Sequence, residues 1–151
     1  MNMTKKEIIN AMNFITPLKL NKFEKSIRIA LYKNYVEFNK IQKDVNETIS
    51  VLREKMFEDK QEDGRKVQEL REKLNLAKNQ EEVNKINKEA SKYKDFLKTE
   101  SEFIQCYNDE YNKEVDCNIE KIDRDEFIDG LIESNVDFTV KDIEQLNFIF
   151  K

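Results

Sequence analysis

The acidic run from Asp116 to Asp129 is the part of this chain whose residue types and spacing come nearest to doing chemistry. Closely spaced carboxylates are ligands for hard cations, and a calcium-binding EF-hand loop presents them in a fixed register. That register fails here. The sixth loop position, where a sharp turn needs Gly, is Lys121, and the twelfth, where a bidentate Glu closes the cage, is Phe127. Asp123, Asp125, Glu126 and Asp129 remain as weak metal candidates. Their spacing is also that of a helix start, with Asp123 as N-cap and Glu126 three positions on, and this is the reading they favour.

Other reactive types are as sparse. The chain has no His, which removes imidazole acid–base chemistry, the usual triads and most zinc sites. Two glycines cannot build a phosphate-cradling loop. Cys106 and Cys117 have neither CxxC nor metal spacing and read as reduced thiols. Tyr93, Tyr107 and Tyr111 share a helix face, but a stacking platform for bases would want basic neighbours, so they read as packing residues. No catalytic, metal-binding or cofactor-binding residue emerges. The expectation is a protein that is not an enzyme and uses no cofactor.

The elements that would position any site are helical. Of 151 residues, 38% are hydrophobic and 38% charged, with two Gly and one Pro. Compact β folds need more turn residues than that, so a few long helices around a thin core are expected. Thr4 and Glu7 form a capping box with a Met3/Ile8 staple, and Ile8, Met12 and Ile15 follow at helical spacing. Pro17 ends that helix by moving Thr16 out of helical geometry. Asn21 and Glu24 repeat the capping pattern. From there a heptad-like stripe runs through Ile27, Leu31, Phe38, Ile41, Val45 and Leu52, with Asn34 and Thr48 as its polar members. Such a helix, roughly 55 Å long, must lay its apolar face on a partner helix.

"FEDKQEDGRK" lacks the stripe and contains Gly64, so a hairpin turn is placed there. The stripe resumes at Val67, Leu70, Leu74 and Ala77 and slips phase at "NQEE", Asn79 to Glu82. Either a helix ends near Lys78 and a new one begins, or one helix kinks; the break is favoured. Val115, Cys117 and Ile119 then alternate with polar residues, the two-residue period of a half-buried strand. Asp123 caps a short helix with an Ile122/Phe127 staple. "NVDFTV" is a second extended candidate that either pairs with the first or stays a loop.

The chain closes on "TVKDIEQLNFIFK", with Thr139 as N-cap, Asp142 three positions on and a Phe138/Ile143 staple. A helix of about a dozen residues is expected, carrying Ile143, Leu146, Ile149 and Phe150 as the candidate interaction or packing residues. Docking within the chain is favoured over docking on a partner. The fold class expected is mainly α: a long antiparallel helical hairpin or bundle over residues 1–112, and a small C-terminal subdomain over 113–151 with two short helices and a candidate β ribbon.

This order of elements resembles a group of small helical proteins of unknown function from tailed-phage and prophage genomes. The matching positions are Leu18 and Leu20 after the opening helix, then Glu114, Val115 and Ile119, then Thr139, Asp142, Ile143, Leu146 and Ile149. The resemblance implies no catalytic residues. It implies a role among assembly or host-takeover factors, in the cytoplasm of a bacterial host.

Charge divides unevenly. Residues 1–98 hold 22 basic and 16 acidic residues, and residues 99–151 hold 5 basic and 15 acidic. No basic stripe results, so nucleic acid is not the expected partner. No signal peptide and no run approaching a membrane span is read, and the expected location is cytoplasmic. The favoured function is non-enzymatic protein–protein interaction or assembly, through a protein partner or self-association. A dimer is the favoured state, with Asn34 and Thr48 as register devices. The alternative is an acidic inhibitor or decoy that imitates nucleic acid toward a host protein.

Overall fold

The computed structural model describes residues 2–151. The fold is mainly α with one short antiparallel ribbon. In chain order the elements are β1 (Asn2–Thr4), α1 (Lys5–Ile15), a 3-10 turn (Leu20–Lys22), α2 (Lys25–Phe57), α3 (Gln61–Leu76), α4 (Gln80–Ala90), a 3-10 turn (Ser91–Tyr93), α5 (Lys94–Asn112), β2 (Glu114–Asp116), α6 (Arg124–Glu133), α7 (Val140–Gln145) and a 3-10 turn (Asn147–Ile149). Two compact units result. One is Met1–Glu47 with Glu110–Lys151, the other Thr48–Asp109.

In the first unit, α1 opens on the expected capping box of Thr4 and Glu7, and Met3 and Ile8 are both buried beneath it. Thr16 keeps helical dihedrals and its N–H still reaches the Met12 carbonyl. The helix therefore ends because Pro17 has no N–H to continue the ladder, rather than because Thr16 leaves helical geometry. The second cap also differs. Asn21 lies in the 3-10 turn, and the first ladder bond of α2 runs from Arg28 N–H to the Glu24 carbonyl. The reason is Phe23, which takes extended backbone and buries its ring 5.7 Å from that of Phe127. Burying a Phe is worth about 1.5–3 kcal/mol, more than the roughly 1 kcal/mol of an Asn cap.

The α2 stripe is buried at Ile27, Leu31, Phe38 and Val45. Thr48 is exposed, however, and Ile49 takes the inward place beside it. Asn34 is fully buried and bonded within the chain to the Glu120 main chain.

The extended segment after α5 is closed by three distant parts of the same unit. β2 pairs antiparallel with β1, with Met3 opposite Val115. Glu120 pairs with Asn34. Ile122 N–H then donates to the Ile149 carbonyl, and Lys151 N–H to the Ile122 carbonyl, each at 2.9 Å. Val115, Cys117 and Ile119 face inward and their neighbours face out, as the two-residue period implies. "NVDFTV" is not its partner. Asn135 turns at positive φ after α6, and Val136 N–H closes the helix end on the Leu131 carbonyl, so this stretch is a loop leading to the next cap.

The closing segment is helical for six residues, α7, instead of about twelve. Thr139 and Asp142 form the expected capping box. The chain then tightens into the 3-10 turn and extends at Phe150, because the Ile149 and Lys151 main-chain groups pair with Ile122.

In the second unit the turn after α2 is only Glu58–Lys60, with Lys60 N–H bonded to the Phe57 carbonyl. Gly64 lies inside α3, and its N–H joins the ladder at Lys60. The break at Asn79 is present. Ala77 is extended, and the Asn79 side chain accepts from Glu82 N–H at 2.9 Å. The return from α2 is therefore three helices. Gly64 lies against Phe96, and Arg71 pairs with Glu100, so α3 and α5 run in the same direction. Among the described residues no helix is long and apolar enough to cross a membrane.

Candidate functional site

The second unit carries the most site-like feature. Phe57 ends α2, and Phe96 and Phe103, seven residues apart, share one face of α5. Their rings gather, with centroids 5.5 Å apart for Phe57–Phe96 and 5.6 Å for Phe57–Phe103. α3 meets this face at Gly64. A Cβ there would stand 3.1 Å from the Phe96 ring. A Gly inside a helix costs about 1 kcal/mol relative to Ala, so the close approach gives its placement a reason.

These rings floor an open cleft of 540 Å³, whose wall includes Ile104 and whose rim carries Arg53, Glu54, Lys60 and Glu100. Ligand clefts commonly span about 300–1,000 Å³ and combine apolar walls with a few polar groups. The Arg53 guanidinium lies 4.7 Å from the Phe103 ring centroid, a cation–π contact. Glu100 is held by both terminal nitrogens of Arg71. Ile104 is 53% exposed. The cleft offers an apolar seat with charges of both signs. Two carboxylates and two cations stand on its rim, with no nucleophile positioned by a base.

In the first unit, four charged residues converge. Lys5, at the first position of α1, is buried and donates to Glu110 and, at 3.0 Å, to Asp44. Lys113 donates to the other oxygen of Glu110. Burial pulls the Lys5 ammonium down, but the bonds and charges of Glu110 and Asp44 outweigh it and leave its pKa above the usual lysine value. The Glu110 carboxyl is held below its ordinary value by hydrogen bonds from Lys113 and then Lys5, against the cost of burial. Both groups are thus held charged. The arrangement fastens the start of α1 and the end of α5 to the middle of α2 and is the opposite of a poised proton donor or acceptor.

Each residue singled out in the sequence has a definite place. Leu146, Ile149 and Phe150 are buried in the first unit's core, and Ile143 packs on it half-buried. Phe150 lies against Phe127, centroids 5.5 Å apart. Asp123 caps α6 by accepting from Glu126 N–H at 3.0 Å. Among the described residues no three His, Cys, Asp or Glu side chains gather closely enough to hold a metal. Cys106 and Cys117 are free thiols; Cys117 is buried, which pushes its thiol pKa up, as do the Glu37 and Asp116 carboxylates. Sequence reasoning missed the aromatic cleft. Its one available signal was a Gly that begins no turn, with Phe57 close before it. No protein-family model, no curated protein and no solved structure matches this chain.

Proposed function

We propose that the chain is a non-enzymatic protein-interaction or assembly protein that binds through the aromatic face of its second unit. The observation that carries this reading is the cleft over Phe57, Phe96 and Phe103 with Ile104 exposed on its wall. A half-buried Phe57 over the buried Phe96 and Phe103 rings, beside a solvent-exposed aliphatic residue, is the kind of aromatic pocket on which interface hot spots centre. Residues 48–109 hold 13 basic and 14 acidic residues, which supplies no basic stripe for nucleic acid. The resemblance to small phage and prophage proteins suits an assembly or host-takeover role in the cytoplasm of a bacterial host. The decoy reading draws less support. Acids of the final third are spent individually: Asp123 and Asp142 on caps, Glu110 between two lysines, Glu100 on Arg71 and Glu120 on Lys33.

Size fractionation of extracts from the source cells tests the reading. The wild-type chain should run in an assembly larger than 18.1 kDa. Ile104→Lys should move it toward the free size without altering its helical content. A wild-type chain that runs free in those extracts removes the proposal.

A further inference from the structure

We infer that the occupant of the aromatic cleft is a second copy of the chain, seated across a two-fold axis that pairs Arg53 of each protomer with Glu54 of the other. The inference rests on the interaction reading above and names its partner. Arg53 and Glu54 are consecutive on α2 and both line the cleft. Among the described residues Arg53 has no carboxylate partner and Glu54 no cationic one. The other rim charges are satisfied within the protomer, Glu100 by Arg71 and Lys60 by Asp59 at 3.6 Å. A two-fold interface is self-complementary: where residue i meets residue j of the partner, j also meets i. Two neighbouring, opposite, unpaired charges on one rim satisfy that rule with both ion pairs formed at once.

The apolar part of the face fits the same occupant. A cleft floored by Phe57, Phe96 and Phe103 stands beside Ile104, which is 53% exposed. Exposed aliphatic surface on the wall of an aromatic cleft can be covered by the same face of a second copy, as a two-fold contact requires. A strongly acidic or strongly basic partner would meet a rim of mixed sign and gain little from it. The second unit is nearly neutral, with 13 basic against 14 acidic residues, so two copies approach without net repulsion.

Sedimentation equilibrium of the purified full chain over a wide concentration range tests the inference, with charge reversals as the diagnostic. The wild type should dimerise. Arg53→Glu and Glu54→Arg should each weaken the dimer by at least about tenfold, because each sets like charges against each other twice. An equimolar mixture of the two variants should associate like the wild type, since one brings two acids and the other two bases. Arg53→Glu also loses the contact with Phe103, whereas Glu54→Arg does not, so the second variant reads the charge effect alone. Circular dichroism checks that both remain folded. The inference is overturned by a purified wild type that stays monomeric, by reversals that leave the dimer unchanged, or by a mixture no tighter than its components. A monomeric purified chain that still runs in a large assembly in cell extracts removes this inference and leaves the interaction reading standing.

Discussion

The side-chain amide of Asn34 pairs with the main chain of Glu120 as a neighbouring strand would. Its Nδ2 donates to the Glu120 carbonyl at 2.9 Å, and its Oδ1 accepts from Glu120 N–H at 2.8 Å. Asn34 is fully buried, so these bonds satisfy groups that water cannot reach. An Asn in the apolar stripe of a long helix suggests a register device between two copies. Here both of its polar atoms are engaged inside one chain, and a dimer would have to find its specificity elsewhere.

Asn34→Ala should therefore cost more than its lost contacts. It leaves the part-buried Glu120 N–H and carbonyl without their side-chain partner, and losing such a bond costs about 1 kcal/mol each, more where water does not replace it. A urea melt should show a loss of about 2 kcal/mol or more, and the Glu120 amide should exchange faster with solvent. Wild-type stability in the variant would mean that water reaches the segment and that the pairing is dispensable.

Leu146 separates packing from partner docking at the end of the chain. It is fully buried beside Ile149 in the first unit's core. Leu146→Ala should cost about 2–5 kcal/mol, and Thr139→Ala about 1 kcal/mol through loss of the cap. Both losses should be the same at every protein concentration. A normal melt for Leu146→Ala would show that this side chain contributes little to the isolated fold.

The caps at Thr4, Asn79, Asp123 and Thr139 were legible because each is a bond between residues three apart. The same locality made the Leu76–Gln80 break readable. What escaped was long-range and made by the main chain. β1 is three residues long, its partner lies at Glu114–Asp116, and so short a segment shows no periodicity. The partner of Asn34 is a backbone, which carries no side-chain signal. Gly64 read as a turn because Gly usually marks one, but its missing Cβ serves the Phe96 ring instead. The terminal quartet was legible as apolar and capped. The bend at Asn147 was not, since it is set by pairing with Ile122.

The Lys5–Glu110 pair predicts two pH limits of opposite sign. Glu110 has its pKa depressed below the ordinary 4.5, so its contribution is full above that value and is lost as pH falls through the lower folded value. Lys5 has its pKa raised above 10.5, so its contribution is full below that value and is lost as pH rises through the higher folded value. Glu110→Gln should cost about 3 kcal/mol near neutrality, at the low end for breaking a buried pair because Asp44 still faces Lys5. The variant should also lose part of the stability drop in acid. Parallel wild-type and variant curves down to the acid limit would show that the pair does not set it.

The two glycines should respond differently to a methyl group. Gly130 lies buried in α6, with its Cα facing the Phe23 ring, and an added Cβ would stand 2.6 Å from ring carbon Cε1. No side-chain rotation of Ala relieves that overlap. Phe23 would have to leave its contact with Phe127, the contact that fixes where α2 begins. Ala gains about 1 kcal/mol of helix propensity over Gly, but overpacking costs about 1–3 kcal/mol, and losing the Phe23 seat adds to it. Gly130→Ala should therefore destabilise on balance. At Gly64 the same methyl would stand 3.1 Å from the edge of Phe96, a shortfall of a few tenths of an ångström that a small ring movement absorbs. Gly64→Ala should be close to neutral, the propensity gain offsetting the crowding. Thermal melts of the two variants beside the wild type decide it. A Gly130→Ala protein as stable as Gly64→Ala would mean that Phe23 has a second seat, and that the start of α2 is not pinned by that ring.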